Sequence, residues 1–364
     1  MKKLSYYLSA TASLALAVCM SISLSSCNKE DNPVNPDQGK GEAKLIIKEI
    51  AVSGGFKTTE NKSYNWCKAI TVYNNSNVKA TIKNLGIGNV GDTNAHAALI
   101  KKNYDENGVL LYENSGFTPI WSQVWYIPEI TIEPYSDAVI AVNGAIDHTI
   151  VAPEAYNLAD ASYYAMYDPE NGANNANAYP VPFEGIPASH YFKVINLFTT
   201  NAWPGSMMCP SIVLFQFPEN VDPRTYCDKE GENIYYTGNT PTANGSNICV
   251  KIPNEWILDG AEFFRIGFES ESFKRLAKSI DTSFGLYNSN KKYSAYRNVD
   301  KAATEAIAEN AGKLVYDYDQ AVEGTNEPSG IDAAASIKNG AKIVYQDTNN
   351  SSADFHLRKA WSLK

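Results

Sequence analysis

The chain has 364 residues, a formal net charge of −9 and no run of clustered Lys and Arg, which argues against a nucleic-acid partner. Tyrosine (23) outnumbers phenylalanine (13) and tryptophan (6), and Asn, Thr, Gly and Pro are plentiful; this composition favours strands and turns over helices. After Cys27 no apolar stretch approaches the roughly 20 residues that a spanning helix needs.

Lys2 and Lys3 begin the chain, an apolar run follows, and Leu24-Ser25-Ser26-Cys27 closes it. A basic start, an apolar run and small residues make a secretory signal. The cysteine directly after the small residues resembles the lipobox of bacterial lipoproteins. That resemblance implies cleavage before Cys27 and acylation (palmitate and related chains) of its thiol and new amine. Each buried methylene contributes about 0.8 kcal/mol, so several chains anchor a protein stably where one does not. Lys29, Glu30 and Asp31 resemble the lysine-plus-acid export signal that sends Bacteroidota lipoproteins to the outer face of the outer membrane. Loss of residues 1–26 removes two lysines and no acid, leaving a net charge of −11. Residues 28–42 combine Pro, Asn, Gly and charge without an apolar face, as a flexible linker does. The expected organisation is a signal over 1–26, an acylated Cys27 and linker over 27–42, and a β domain over 43–364. That domain either forms one unit or splits into two packed sandwiches near 200.

Lys44 to Val52 is apolar and β-branched and stops at Ser53-Gly54-Gly55, which predicts a core strand. Lys68 to Tyr73 alternates at period two, with Ala69, Thr71 and Tyr73 on one face and Ile70 and Val72 on the other. The Asn74-Asn75-Ser76-Asn77 turn and the apolar segments 78–83 and 85–88 then predict a hairpin. Further strands are expected at 109–112, 121–132, 138–142, 211–217, 249–252, 263–267 and 341–346, with a proline turn at 134–137. Residues 168–190 and 323–335 read as loops. Helical signals are confined to 272–280 and, more clearly, 300–312, where good helix formers end at Gly312.

Cys67, Cys209, Cys227 and Cys249 follow Cys27, and an exported chain meets an oxidising compartment. Cys227 and Cys249 lie 22 positions apart and flank a turn-rich stretch. A bridge there would contribute about 3 kcal/mol in the loop-entropy model; Cys209–Cys227 is the alternative pairing. No Cys-x-x-Cys pair, His-Glu-x-x-His helix, Gly-x-Ser-x-Gly elbow or complete dinucleotide loop occurs. Asp347 and Asn349 carry hard oxygen donors of the type that binds Ca²⁺, although Asx residues more often cap their own turns. No other cofactor is expected. Trp121, Trp125, Tyr126, Tyr163 and Tyr164 fall in or beside the long middle segments. Such aromatics either present a binding surface or fill a β core.

Three stretches together, 44–52 with 70–76, 132–141 and 343–355, resemble DUF4876, an uncharacterised family of Bacteroidota lipoproteins. The first two also resemble the start of a lamin-tail domain. The fold these resemblances imply is mainly β: an immunoglobulin-like, lamin-tail-like β-sandwich with long loops and few short helices. The family resembles lipoproteins found beside outer-membrane active transporters of the TonB-dependent class. The leading expectation is therefore a non-catalytic lipoprotein of the outer membrane, facing the exterior, that binds a nutrient or partners such a transporter. A structural or adhesive protein and a glycan-acting hydrolase, which would need two carboxylates about 5–10 Å apart, are the alternatives.

Overall fold

The computed structural model describes residues 42–363 apart from 92–93, 173–174, 199–202, 204 and 290. Cys27, Lys29, Glu30 and Asp31 lie outside the described residues.

Sixteen strands are found among the described residues. They are β1 (Leu45–Ala51), β2 (Phe56–Lys57), β3 (Ser63–Tyr64), β4 (Ala69–Asn74), β5 (Ala80–Val90), β6 (Phe117–Ile132), β7 (Asp137–Ala141) and β8 (Tyr164–Met166). The second half adds β9 (Tyr191–Asn196), β10 (Ser211–Gln216), β11 (Ile234–Tyr236), β12 (Ile248–Pro253), β13 (Ile257–Arg265), β14 (Gly285–Tyr287), β15 (Ser294–Arg297) and β16 (Phe355–Arg358). Fourteen of them make one continuous mixed sheet in the order β14-β13-β10-β5-β6-β9-β8-β7-β4-β1-β15-β16, with β12 and β11 attached to β6. The β2–β3 ribbon stands apart. The helices are short; Asp300 caps Lys301–Glu305 by accepting from Ala303 N at 2.9 Å.

The sheet bends around one main core. Leu45, Ile47 and Ile50 of β1, Ile70 and Val72 of β4, Leu85 and Ile87 of β5, and Trp125 and Ile127 of β6 all meet there. The alternation expected for 68–73 holds: Ala69 and Tyr73 enter separate outer clusters, while Ile70 and Val72 face the main core. The layers are not two separate sheets. Parallel pairing of β7 with β8 and β8 with β9 carries the ladder from one layer into the other. Strands from before and after residue 200 share this ladder, since β10 pairs with β5.

The Asn-rich turn after β4 does not form the expected hairpin. β4 pairs with β1 and β7, whereas β5 pairs with β6 and β10. The turn is a crossover between layers, closed by Asn74 Nδ2, which donates to Val78 O at 2.7 Å and Ile132 O at 3.0 Å. Both strands carry apolar residues facing the same core, and opposing layers satisfy this better than adjacent strands would. Residues 109–112 form turns around an isolated bridge between Tyr104 and Leu110. Residues 272–280 form no helix. The expected last strand, 341–346, makes only the bridge Val299–Tyr345. Its apolar residues Ile343 and Tyr345 instead pack with Ile46, Tyr73 and Tyr296 as a cover over the outside of β1 and β4. That cover explains why both faces of these strands are buried.

At the end of the core near Leu45, Arg297 ties the seam between β15, β1 and β13. Its guanidinium donates to Ile47 O (2.7 Å) and Gln346 O (2.9 Å) and pairs with Asp259, with Asp347 at 3.4 Å and with Asp354 at 3.7 Å. Asp259 also accepts from Ile47 N at 2.6 Å. At the other end, Tyr287 OH of β14 donates to Ile50 O and accepts from Val52 N, each at 3.1 Å.

His356 of β16 is buried, with Nδ1 2.7 Å from Asn298 Oδ1 and Nε2 against Tyr318 OH. Burial, helped by the nearby Arg358 charge, lowers its pKa from 6.5 to about 3. A histidine with a depressed folded-state pKa stabilises the fold above its unfolded value and loses that contribution on acidification. Between pH 6.5 and 4.5 the cost is about 2–3 kcal/mol, at about 1.4 kcal/mol per unit. Denaturant midpoints measured across this range should fall more steeply for the native protein than for His356→Gln. A constant offset between the two would show that His356 does not titrate with folding.

Candidate functional site

None of the five expected binding aromatics lies on an open loop. Trp121, Trp125 and Tyr126 belong to the central strand β6, and Tyr164 begins β8. Trp125 is fully buried against Tyr179 at 5.4 Å between ring centroids. Tyr126, Tyr163 and Tyr164 are buried too. Trp121 is half-buried, its Nε1 donating to Ser246 O at 2.8 Å. The reason is β alternation on a strand that crosses the middle of the sheet, where large rings supply core volume.

The expected Cys227–Cys249 bridge is not formed, and all four cysteines of this region are buried. Cys227 caps the helix Pro223–Tyr226 and packs within an apolar cluster. Cys249 lies in β12, its Sγ 3.7 Å from Thr237 Oγ1 and from Asn247 O. The Asp347–Asn349 turn is committed to the fold rather than turned toward a cation. Asp347 pairs with Lys44 at 2.6 Å and with Arg297. Asn349 takes a left-handed φ of 53°, and its carbonyl accepts from Thr282 N at 2.8 Å. Among the described residues no group of three or more His, Cys, Asp or Glu side chains is placed to hold a metal.

Two concavities among the described residues bear on binding. The smaller, about 100 Å³, lies between Lys48, Thr71, Asp137, Val139, Ser162 and Tyr163. Lys48 occupies a bulge of β1 opposite β4 and pairs with Asp137. Burial opposes its charge, but Asp137 outweighs this and raises its pKa. The volume suits a few waters and not a nutrient.

The larger is a groove of about 410 Å³ on the outside of β13, within the 300–1,000 Å³ of small-molecule sites. Alternation in β13 sends Ala261 and Phe263 into the core and Glu262 and Phe264 outward. Glu262 is fully buried beneath the β13–β14 crossover and receives Arg275 N (2.8 Å), Arg275 Nε (2.9 Å), Leu276 N (3.1 Å) and Lys274 Nζ (3.1 Å). Burial works against the carboxylate, yet Lys274 and Arg275 hold its pKa below the usual value. This fan of donors fixes segment 274–276 and places Leu276 on the groove floor. Phe264 stacks on Phe284 (3.9 Å, 16°), and Tyr104 packs on Phe273 (5.3 Å) while donating to Lys274 O at 2.6 Å. Glu113, Glu269, Ser272 and Lys278 give a polar rim, and Val109 is 44% exposed. The groove thus offers ring faces and rim charges, suited to non-covalent capture of a molecule that is partly apolar. Tyr104, Phe273 and Phe284 were not marked by the sequence. The usable signal was Glu262, an acid alternating with core residues in an apolar strand, which required a cover on the outer face.

The family model for DUF4876, a protein of unknown function, matches residues 133–324. A crystal structure of a DUF4876 family protein from Bacteroides thetaiotaomicron VPI-5482 superposes with a TM-score of 0.57 at 18% identity. The match covers 86% of this chain and 70% of that one. No curated protein matches the chain. The match of the family model over more than half of the chain and the shared mainly β fold lead to one assignment: this chain belongs to the DUF4876 family.

Proposed function

We propose that this protein is a non-catalytic, acylated lipoprotein of the outer-membrane exterior that captures a small ligand in the groove of Phe264 and Phe284. The ligand-sized groove with stacked rings and a charged rim carries this reading. Cys27 would hold the lipid, and Lys29, Glu30 and Asp31 would direct the protein outward. For the first strands we keep the reading of an immunoglobulin-like, lamin-tail-like start; the strand at 45–51 and the strand at 137–141 after its proline turn support it. A ligand that binds only the folded state at 100 times its Kd adds about 2.7 kcal/mol of stability. A thermal-shift screen of oligosaccharides, metal chelates and tetrapyrroles should therefore find one class that raises Tm. Val109→Asp, at an exposed rim position, should leave the unliganded Tm unchanged and weaken that ligand at least about tenfold, the cost of about 1.4 kcal/mol. A screen without a hit in any class would reject the groove.

A second reading, partnership with an outer-membrane transporter of the TonB-dependent class, is favoured by one surface. Ile150 (78% exposed), Val151, Val181 (72%) and Phe183 lie on neighbouring loops, linked by Phe183 N donating to Ala145 O at 2.9 Å. These loops follow the C-terminal ends of the parallel strands β7 and β8, whereas Leu45 lies one strand away, across β4, at the N-terminal end of β7. The apolar loops therefore sit at the end of the sheet away from Leu45, free to meet a partner. Crosslinking on cells followed by mass spectrometry should recover one transporter, and lose it with Ile150→Asp/Val181→Asp.

A further inference from the structure

The two ends of the main core treat buried cations differently. At the Leu45 end Arg297 has three carboxylates within 4 Å. At the opposite end lies Lys68, only 8% exposed. Among the described residues no carboxylate comes within 4 Å of its ammonium, and no hydrogen bond holds it.

Register sets where Lys68 sits. Ala69 pairs with Ala51 on one side and Ala141 on the other, so Val52 and Val142 flank Lys68, and Val142 N donates to Lys68 O at 2.9 Å. Lys68 shares the parity of Ile70, Val52 and Val142 belong to the main core with Ile70, and Trp66 packs against that core. Beside it in the chain after β7, Asn143 is fully buried, donates to Ala178 O at 3.4 Å and leaves its Oδ1 without a partner. A buried ammonium without a described counter-charge and a buried amide oxygen without a partner thus lie in two chain segments that the β4–β7 register brings side by side. A methionine would fill the same volume at no electrostatic cost, and residues that break such local rules mark functional sites. The remaining exposure leaves the ammonium reachable from outside.

We infer that Lys68 is an anion-receiving site that takes the carboxylate of a small, partly apolar ligand at the end of the core away from Leu45. The incoming carboxylate would supply the missing counter-charge, and the half-buried Trp66, two residues before Lys68 in the chain, would offer its ring to the apolar part of the ligand. Burial, which lowers the Lys68 pKa to about 8, agrees with a cation awaiting a partner. The site is separate from the Phe264–Phe284 groove and stands or falls without it.

The test is the Tm of the purified protein in sodium propionate and sodium benzoate against sodium chloride at matched ionic strength. The native protein should gain Tm in at least one carboxylate, in a saturating manner, over chloride. Lys68→Met should melt higher than the native protein in chloride, by about 2 °C, and show the same Tm in all three salts. Lys68→Arg, which keeps the charge, should retain the carboxylate response, as should Val109→Asp in the groove. A native protein indifferent to both carboxylates, or a Lys68→Met protein that still responds, would overturn the proposal. If Lys68→Met does not fold, loss of the response in Lys68→Gln decides in its place.

Discussion

Replacing Cys27 by alanine should abolish incorporation of labelled palmitate into this protein. The expectation follows from Leu24-Ser25-Ser26-Cys27 alone: without the thiol no thioether to lipid forms. Each methylene of a buried chain contributes about 0.8 kcal/mol, so removal of several chains takes away far more than any residual surface attraction of an acidic protein can replace. Replacing Lys29, Glu30 and Asp31 by alanine should keep the label yet strongly reduce cleavage by protease added to intact cells. Label persisting on the Cys27→Ala protein would remove the lipoprotein reading, while unchanged protease access in the triple variant would remove only the outward orientation.

Replacing Arg297 by methionine should cost about 3–5 kcal/mol of stability, because one partner of a buried ionic cluster is lost and its charges stay behind. Asp259, Asp347 and Asp354 all converge on this guanidinium. Burial already pushes the Asp259 pKa up from 3.8 to about 7, with Asp347 adding to the rise and Arg297 opposing it. Without the arginine these carboxyls can reduce their repulsion only by taking up protons. The deficit of the variant should therefore shrink as pH falls from 8 toward 5, opposite to ordinary acid destabilisation. Arg297→Met/Asp259→Asn should recover part of the loss, since an amide oxygen can still accept from Ile47 N. Urea unfolding of the three proteins at several pH values gives the comparison. A deficit below about 1 kcal/mol, in the range of exposed pairs, would mean that water reaches the cluster.

Much of the strand pattern was legible. The segments at 45–51, 69–74, 137–141 and 211–216 carry β-branched residues bounded by Gly, Asn or Pro, and these signals are local. Short strands such as β8, β14 and β15 were not legible, because three or four residues contain too little of a period to detect. The groove was largely hidden. Phe264 lay in a recognised strand, but Tyr104 and Phe284 come from segments with no periodic signal, Phe273 from one that reads as helical and forms no helix, and they meet only because the β13–β14 crossover folds back over Glu262. Four of the five aromatics that the sequence offered as binding residues are buried and Trp121 is half-buried, since ring size marks volume as readily as it marks binding.

By itself the sequence determined the acidic composition, the Cys27 motif, the family resemblance and the mainly β character, all of which rest on adjacent residues or on period-two alternation. Only the tertiary structure decided which strands pair. It separated β4 from β5 despite their short Asn-rich turn, joined both layers through β7, β8 and β9, and gave Arg297 three carboxylates while leaving Lys68 with none among the described residues. Pairing and charge balance depend on residues tens to hundreds of positions apart brought together by burial of a common core, and no local pattern records which partner that burial will select.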